Sequence, residues 1–107
     1  MDDLLKRADD FYGYVIELTS WIEEEGKEFP YADDLLECGR CLCEIIRNAE
    51  SVCSFSQEVN MKAHNLTDEF CRLMDLLVKT GVLTEVQSEP LLSECAFIRD
   101  EIAGLQK

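Results

Sequence analysis

The chain has a single histidine, only two prolines, and no apolar run approaching the roughly 20 residues that a membrane-spanning helix needs. A lone histidine cannot supply paired imidazole ligands. The Glu and Glu-x-x-His set of a bundle-core di-iron site is also missing, since Met61 stands three residues before His64. Cys71 shares a helical face with His64, but seven residues separate the two side chains by roughly 10 Å, too far for proton transfer. No glycine-rich phosphate loop and no nucleophile elbow occurs. Cations are scarce as well: 10 Lys plus Arg stand against 23 Asp plus Glu, a formal net charge of -13. Such a surface repels phosphate backbones and anionic membranes. It suits a solvated exterior that keeps the protein dissolved, and it offers an acidic face to a basic protein partner. The opening Met1-Asp2-Asp3 carries neither a basic region nor an apolar signal segment, so the expected location is the cytoplasm. No enzymatic activity, metal or cofactor is implied.

What is present is a repeated seven-residue apolar pattern. Four stripes step alternately by four and three: Leu4, Ala8, Phe11, Val15, Leu18, Ile22; Leu35, Gly39, Leu42, Ile46, Ala49, Cys53; Val59, Ala63, Leu66, Phe70, Leu73, Leu77; and Leu91, Cys95, Ile98, Ile102, Leu105. This spacing places each set on one face of a helix lying nearly parallel or antiparallel to its neighbours. The 107 residues are one domain, long enough for a core without a metal or disulfide staple. With 47% hydrophobic and 31% charged residues, the composition is that of a folded chain. The short connections between stripes predict an all-α, antiparallel up-down-up-down four-helix bundle.

Boundaries follow from local chemistry. The first helix is expected from about Asp3 to Glu25, capped by Asp2 or Asp3, with Gly26 as its left-handed closing residue. Three consecutive acids at its negative end predict fraying there. Pro30 forces a break and pushes Phe29 to extended backbone. The second helix begins near Tyr31 to Asp33 and runs to about Val52, with Asp33 and Asp34 favoured in its first turn. Gly39 falls on the buried stripe and predicts close approach of a neighbouring backbone. Ser54 to Gln57 is a connection without Gly or Pro, so one long bent helix is its alternative. The third helix ends at Lys79-Thr80, with Gly81 closing it and Val82 folding back. Thr84 to Gln87 reads as a capping box, yet it would put Pro90 beyond the first turn. Ser88 as cap is the expected solution, with a short turn before it and the main helix from Glu89 to about Leu105.

Six cysteines, Cys38, Cys41, Cys43, Cys53, Cys71 and Cys95, carry no second Cys-x-x-Cys and no paired histidine. They read as small apolar residues filling tight positions, with Cys53 and Cys95 on the stripes. Apolar residues beside the stripes are the more informative surplus: Tyr12, Ile16, Trp21, Leu36, Cys43, Ile45, Cys71, Met74, Val78, Leu92 and Phe97. They either widen the core-facing bands or form a second contact face between subunits. Trp21, Phe29 and Tyr31 are the leading anchors for such a contact, with Tyr12 and Phe97 as further candidates.

Taken in order, several features resemble a known family. Phe29-Pro30 after the first helix is similar to a Phe-Pro in that family. Arg47-Asn48-Ala49-Glu50 resembles its Asn-Ile-Ala-Glu stretch closing the second helix. Thr80-Gly81-Val82-Leu83-Thr84-Glu85 resembles its Leu-Gly-Tyr-Leu-Ser-Glu turn, and Leu91, Leu92 and Ile98-Arg99 continue as its last helix would. The family is that of small bacterial four-helix-bundle proteins encoded in intervening sequences of large-subunit ribosomal RNA genes, related to the accessory proteins of diversity-generating retroelements. The resemblance implies the up-down-up-down bundle and is compatible with a ring-like homo-oligomer such as a pentamer. The retroelement proteins are basic and bind nucleic acid; here Cys38, Cys41 and Glu44 stand on a helix that is richer in Arg among relatives, and nucleic-acid binding is not carried over. The expected function is a non-enzymatic bundle that self-associates and acts as a protein-interaction or adaptor module.

Overall fold

A computed structural model describes residues 2–105. Four helices account for most of it: α1 (Asp2–Glu24), α2 (Ala32–Ser51), α3 (Gln57–Lys79) and α4 (Glu85–Leu105). Each helix touches its neighbours in chain order, and α1 also touches α4, so the four close a ring around one core. Among the described residues no helix is long and apolar enough to cross a membrane.

The stripes meet at the core. Ala8, Phe11, Val15, Leu35, Leu42, Ile46, Ala63, Phe70, Leu73, Leu77, Ile98 and Ile102 are all almost fully buried. Phe11 and Phe70 meet across the ring, edge to face, with centroids 5.1 Å apart. Each buried side chain of this size stabilises the fold by about 1.5–3 kcal/mol over leaving it in water. Cys43 and Met74, from the surplus beside the stripes, are drawn into the same core. Thr67 is buried as well. Its hydroxyl donates to the Ala63 carbonyl at 2.9 Å, so the polar atom is satisfied within its own helix.

Three helix ends use the same closing device. After α1, Gly26 adopts φ 69°, its N–H donates to the Glu23 carbonyl and that of Lys27 to Ile22. After α3, Gly81 at φ 80° repeats the pattern, and Val82 and Leu83 fold back into the core. After α2, the left-handed residue is Cys53 at φ 53°. A side chain there costs about 1–2 kcal/mol relative to glycine. This corrects the stripe assignment of Cys53: it is an exposed turn residue, and Phe55 fills the end of the core instead. The break is real, for Ser56 caps α3 by accepting from the Val59 N–H at 3.3 Å.

Two further boundaries differ from expectation. The first acid run stops the helix at Glu24, one residue early. The Asp2 side chain, one of the two proposed caps, lies outside the described residues, and Asp3 stands inside the helix. At α4 the capping box prevails over the proline. Thr84 N–H donates to Gln87 Oε1 at 2.9 Å, and Gln87 N–H donates back to Thr84 Oγ1 at 3.1 Å. The helix therefore starts at Glu85 and carries Pro90 inside it. Two reciprocal bonds offset the one that Pro90 cannot donate to the Val86 carbonyl, and Val86 is open to water. Ser88 is buried rather than capping, its hydroxyl donating to the Glu85 carbonyl.

Candidate interaction surface

Helix α1 contributes to two open grooves. On one side it faces α2. Gly39 makes that seam close: a Cβ at this position would stand 2.8 Å from Tyr12 Cδ1, so only glycine lets the tyrosine ring lie on the α2 backbone. Above it, Tyr12, Ile16, Phe29 and Leu36 line a groove of about 450 Å³, with Glu23, Lys27 and Asp33 as its charged lining. Tyr31 joins it through an edge-to-face contact with Phe29, centroids 5.7 Å apart. Pro30 holds the two aromatics in the connection where the chain cannot be helical.

On the other side α1 faces α4. Tyr14, Pro90 and Leu91 line a groove of about 670 Å³ together with Asp3, Lys6, Arg7, Asp10 and Glu94. Arg7 spans the seam. Its guanidinium donates to both Glu94 carboxylate oxygens and lies 3.8 Å from the centre of the Phe97 ring.

The five candidate anchors therefore separate. Tyr12, Phe29 and Tyr31 gather on the α1–α2 groove. Phe97 belongs to the α1–α4 seam, beneath Arg7. Trp21 is half-buried beside the α1–α2 connection, with Lys27 Nζ 5.0 Å from its ring. The same Lys27 ammonium donates to the Val82 carbonyl at 3.4 Å, tying this connection to the α3–α4 turn. Tyr14, 58% exposed, was not among the anchors; it interrupts no stripe and sits between Phe11 and Val15 on the chain, so heptad spacing gives it no signal.

Three of the six cysteines, Cys38, Cys43 and Cys95, are buried as apolar filling, which corrects the expectation that all six fill tight positions. Burial pushes the Cys38 thiol up to about 11, and the Cys43 and Cys95 thiols up to about 12; Asp9 beside Cys43 adds to its shift. These groups stay protonated at neutral pH, where a thiolate would be needed for nucleophilic or metal chemistry. Cys95 donates weakly to Thr67 Oγ1 at 3.7 Å. Cys41 faces outward and donates to Glu37 at 3.4 Å, while the Arg40 guanidinium holds the Glu37 carboxyl below its ordinary range. Cys53, Cys71 and His64 are exposed. Among the described residues no three His, Cys, Asp or Glu side chains are placed to hold a metal ion.

Cations are occupied locally. Arg7 pairs with Glu94, Arg40 with Glu37 and Glu44, Arg47 with Asp9, Arg72 with Glu69, and Arg99 with Asp100. Lys62 and Lys79 pair with Glu58 and Asp75 one turn away. The surface potential is thus set by the carboxylates left over. The chain matches no known protein family, no curated protein and no solved structure.

Proposed function

We propose that this protein is a non-enzymatic interaction module that self-associates and holds another protein. One observation carries the reading: among the described residues, four of the seven exposed large apolar side chains, Tyr14 at 58%, Ile16 at 43%, Tyr31 at 43% and Phe97 at 40%, lie on or beside the two grooves flanking α1, while Val52, Met61 and Val86 stand elsewhere. Surface hydrophobics gathered in this way mark contact faces. Self-association is assigned to the α1–α4 side, where Lys6 and Arg7 alternate with Asp3, Asp10 and Glu94. Between copies such a mixed face can set one copy's cations against the other's carboxylates, closing a dimer if the contact is two-fold. A ring such as a pentamer, with which the family resemblance is compatible, instead requires head-to-tail contacts. A cytoplasmic setting belongs to the same proposal.

The helices are read as running alternately up and down. Support comes from the order along the seams: Asp9 pairs with Arg47 and Tyr12 touches Gly39 on one, while on the other Arg7 pairs with Glu94 and Tyr14 lines the same groove as Pro90. On each seam, numbers rise on α1 as they fall on its partner.

Size-exclusion chromatography with light scattering tests the self-association. The expected mass is a multiple of 12.3 kDa, reduced to a single chain by Tyr14→Asp with Phe97→Asp. A strict monomer at high concentration overturns it.

A further inference from the structure

The α1–α2 groove combines an apolar floor with an excess of negative charge, two carboxylates against one lysine. Tyr12, Ile16, Phe29 and Leu36 supply the floor, and Glu23 and Asp33 the carboxylates that line it. Neither Glu23 nor Asp33 makes an ion pair among the described residues, and the same holds for Glu17, Glu24, Glu28 and Asp34 in the adjoining stretches of chain. The one cation of the lining, Lys27, is directed to the Val82 carbonyl and the Trp21 ring. A second copy bound through the same groove would bring its own Glu23 and Asp33 against these carboxylates. Like charges facing each other across a contact disfavour it. A cationic partner is favoured by the same field.

The shape narrows the partner further. From Tyr12 to Glu23 the groove runs along eleven residues of helix, about 16 Å at 1.5 Å per residue, or three turns. An amphipathic helix laid along that length presents anchors at i, i+4, i+7 and i+11 to a groove between two helices. Phe29 and Tyr31 at its end offer ring faces to guanidinium or ammonium groups.

We infer that the α1–α2 groove binds a basic amphipathic helix of another protein, its apolar anchors on Ile16 and Leu36 and its Lys or Arg residues against Glu23 and Asp33. This rests on the interaction-module reading above and names the partner class for one of its two faces.

The test is a titration of the full chain, followed by amide chemical shifts and calorimetry, with three synthetic 18-residue peptides. One is a Leu and Lys sequence arranged as an amphipathic helix, one has the same composition in scrambled order, and one carries Glu in place of every Lys. The ordered basic peptide is expected to bind at least tenfold more tightly than the scrambled one, with shifts centred on Tyr12, Ile16, Ala32 and Leu36. Ile16→Ser should weaken it about tenfold, and Glu23→Gln with Asp33→Asn should flatten its salt dependence. Both variants alter exposed positions, and their melting curves check that they fold. Equal binding of the scrambled or the acidic peptide, shifts centred on another groove, or no binding overturns the inference. Chain mass separates it from self-association: a monomer that binds the ordered peptide in this groove keeps the inference and removes self-association. Copies that associate through the groove and exclude the peptide do the reverse.

Discussion

The two grooves beside α1 are both apolar at the floor and each carries one more acid than base, but they differ in how their cations are placed. Toward α4, Arg7 crosses the seam to Glu94 and covers Phe97, and Lys6 stands among Asp3 and Asp10. Toward α2, Glu23 and Asp33 are exposed and, among the described residues, unpaired, and Lys27 of the same lining bonds the Val82 carbonyl instead of either carboxylate. On the proposed reading both sides are contact faces, and the arrangement of charge would distinguish a side that tolerates a copy of itself from one that selects a cation. One helix can serve both because its two outer flanks are built from different residues on either side of a single buried stripe.

The largest perturbation removes the comparison altogether. Leu73→Asp places an unpaired charge at a fully buried position and is expected to cost about 3–5 kcal/mol. Urea unfolding measures it, and both grooves should lose their dispersed amide signals together. A melting temperature that barely moves would show that Leu73 is not in the core.

Gly39→Val breaks one side only. Its side chain must displace the Tyr12 ring, an overpacking cost of about 2 kcal/mol, and shifts should concentrate on the α1–α2 groove. Equal changes at Arg7 and Leu91 would mean that the two seams are not independent.

Alkaline pH separates the seams by their thiols. Cys43 of α2 lies beside Asp9 of α1, and Cys95 of α4 beside Thr67 of α3. Both thiols are raised in the fold, so below their ordinary range neither state ionises and pH has no effect through them. Above it the unfolded chain releases protons that the fold retains. Stability then falls as pH rises, by about 1.4 kcal/mol per pH unit for each thiol, between about 8.5 and the folded values. Cys43→Ala should remove one such share of the slope measured by urea midpoints in reductant; an unchanged slope contradicts the burial of that thiol.

The smallest effect is expected from Arg7→Ala. The ion pair with Glu94 is solvent-exposed, so the melting temperature should stay nearly constant while the solution mass responds. A large drop in melting temperature would make Arg7 a structural tie rather than part of a contact face.

Much of the architecture was legible before any coordinates. Stripes 1, 3 and 4 point inward as read, Gly39 marks the close approach it suggested, and Gly26 and Gly81 close their helices. Cys53 was misread because a heptad count continues through a turn when no glycine or proline announces the turn. The start of α4 was misread because the cost of a mid-helix proline was set above two side-chain bonds, and exposure of Val86 lowers that cost. The candidate anchors do not form one group: Phe97 is aromatic like Phe29 and Tyr31 but lies on the other flank of α1.

Seven-residue spacing was enough to determine which side chains leave water, because an apolar stripe on a helix has one way to be buried and a chain this long can bury four of them. The residues at the edges of those stripes were decided by the neighbouring helix. Cys43 and Met74 went inside while Ile16 and Phe97 stayed out, because burial at an edge depends on how near the next helix comes and on what its facing side chains leave open. The placement of charge around each groove was decided there too: the composition contains only a surplus of acids, and folding chose which of them met an arginine.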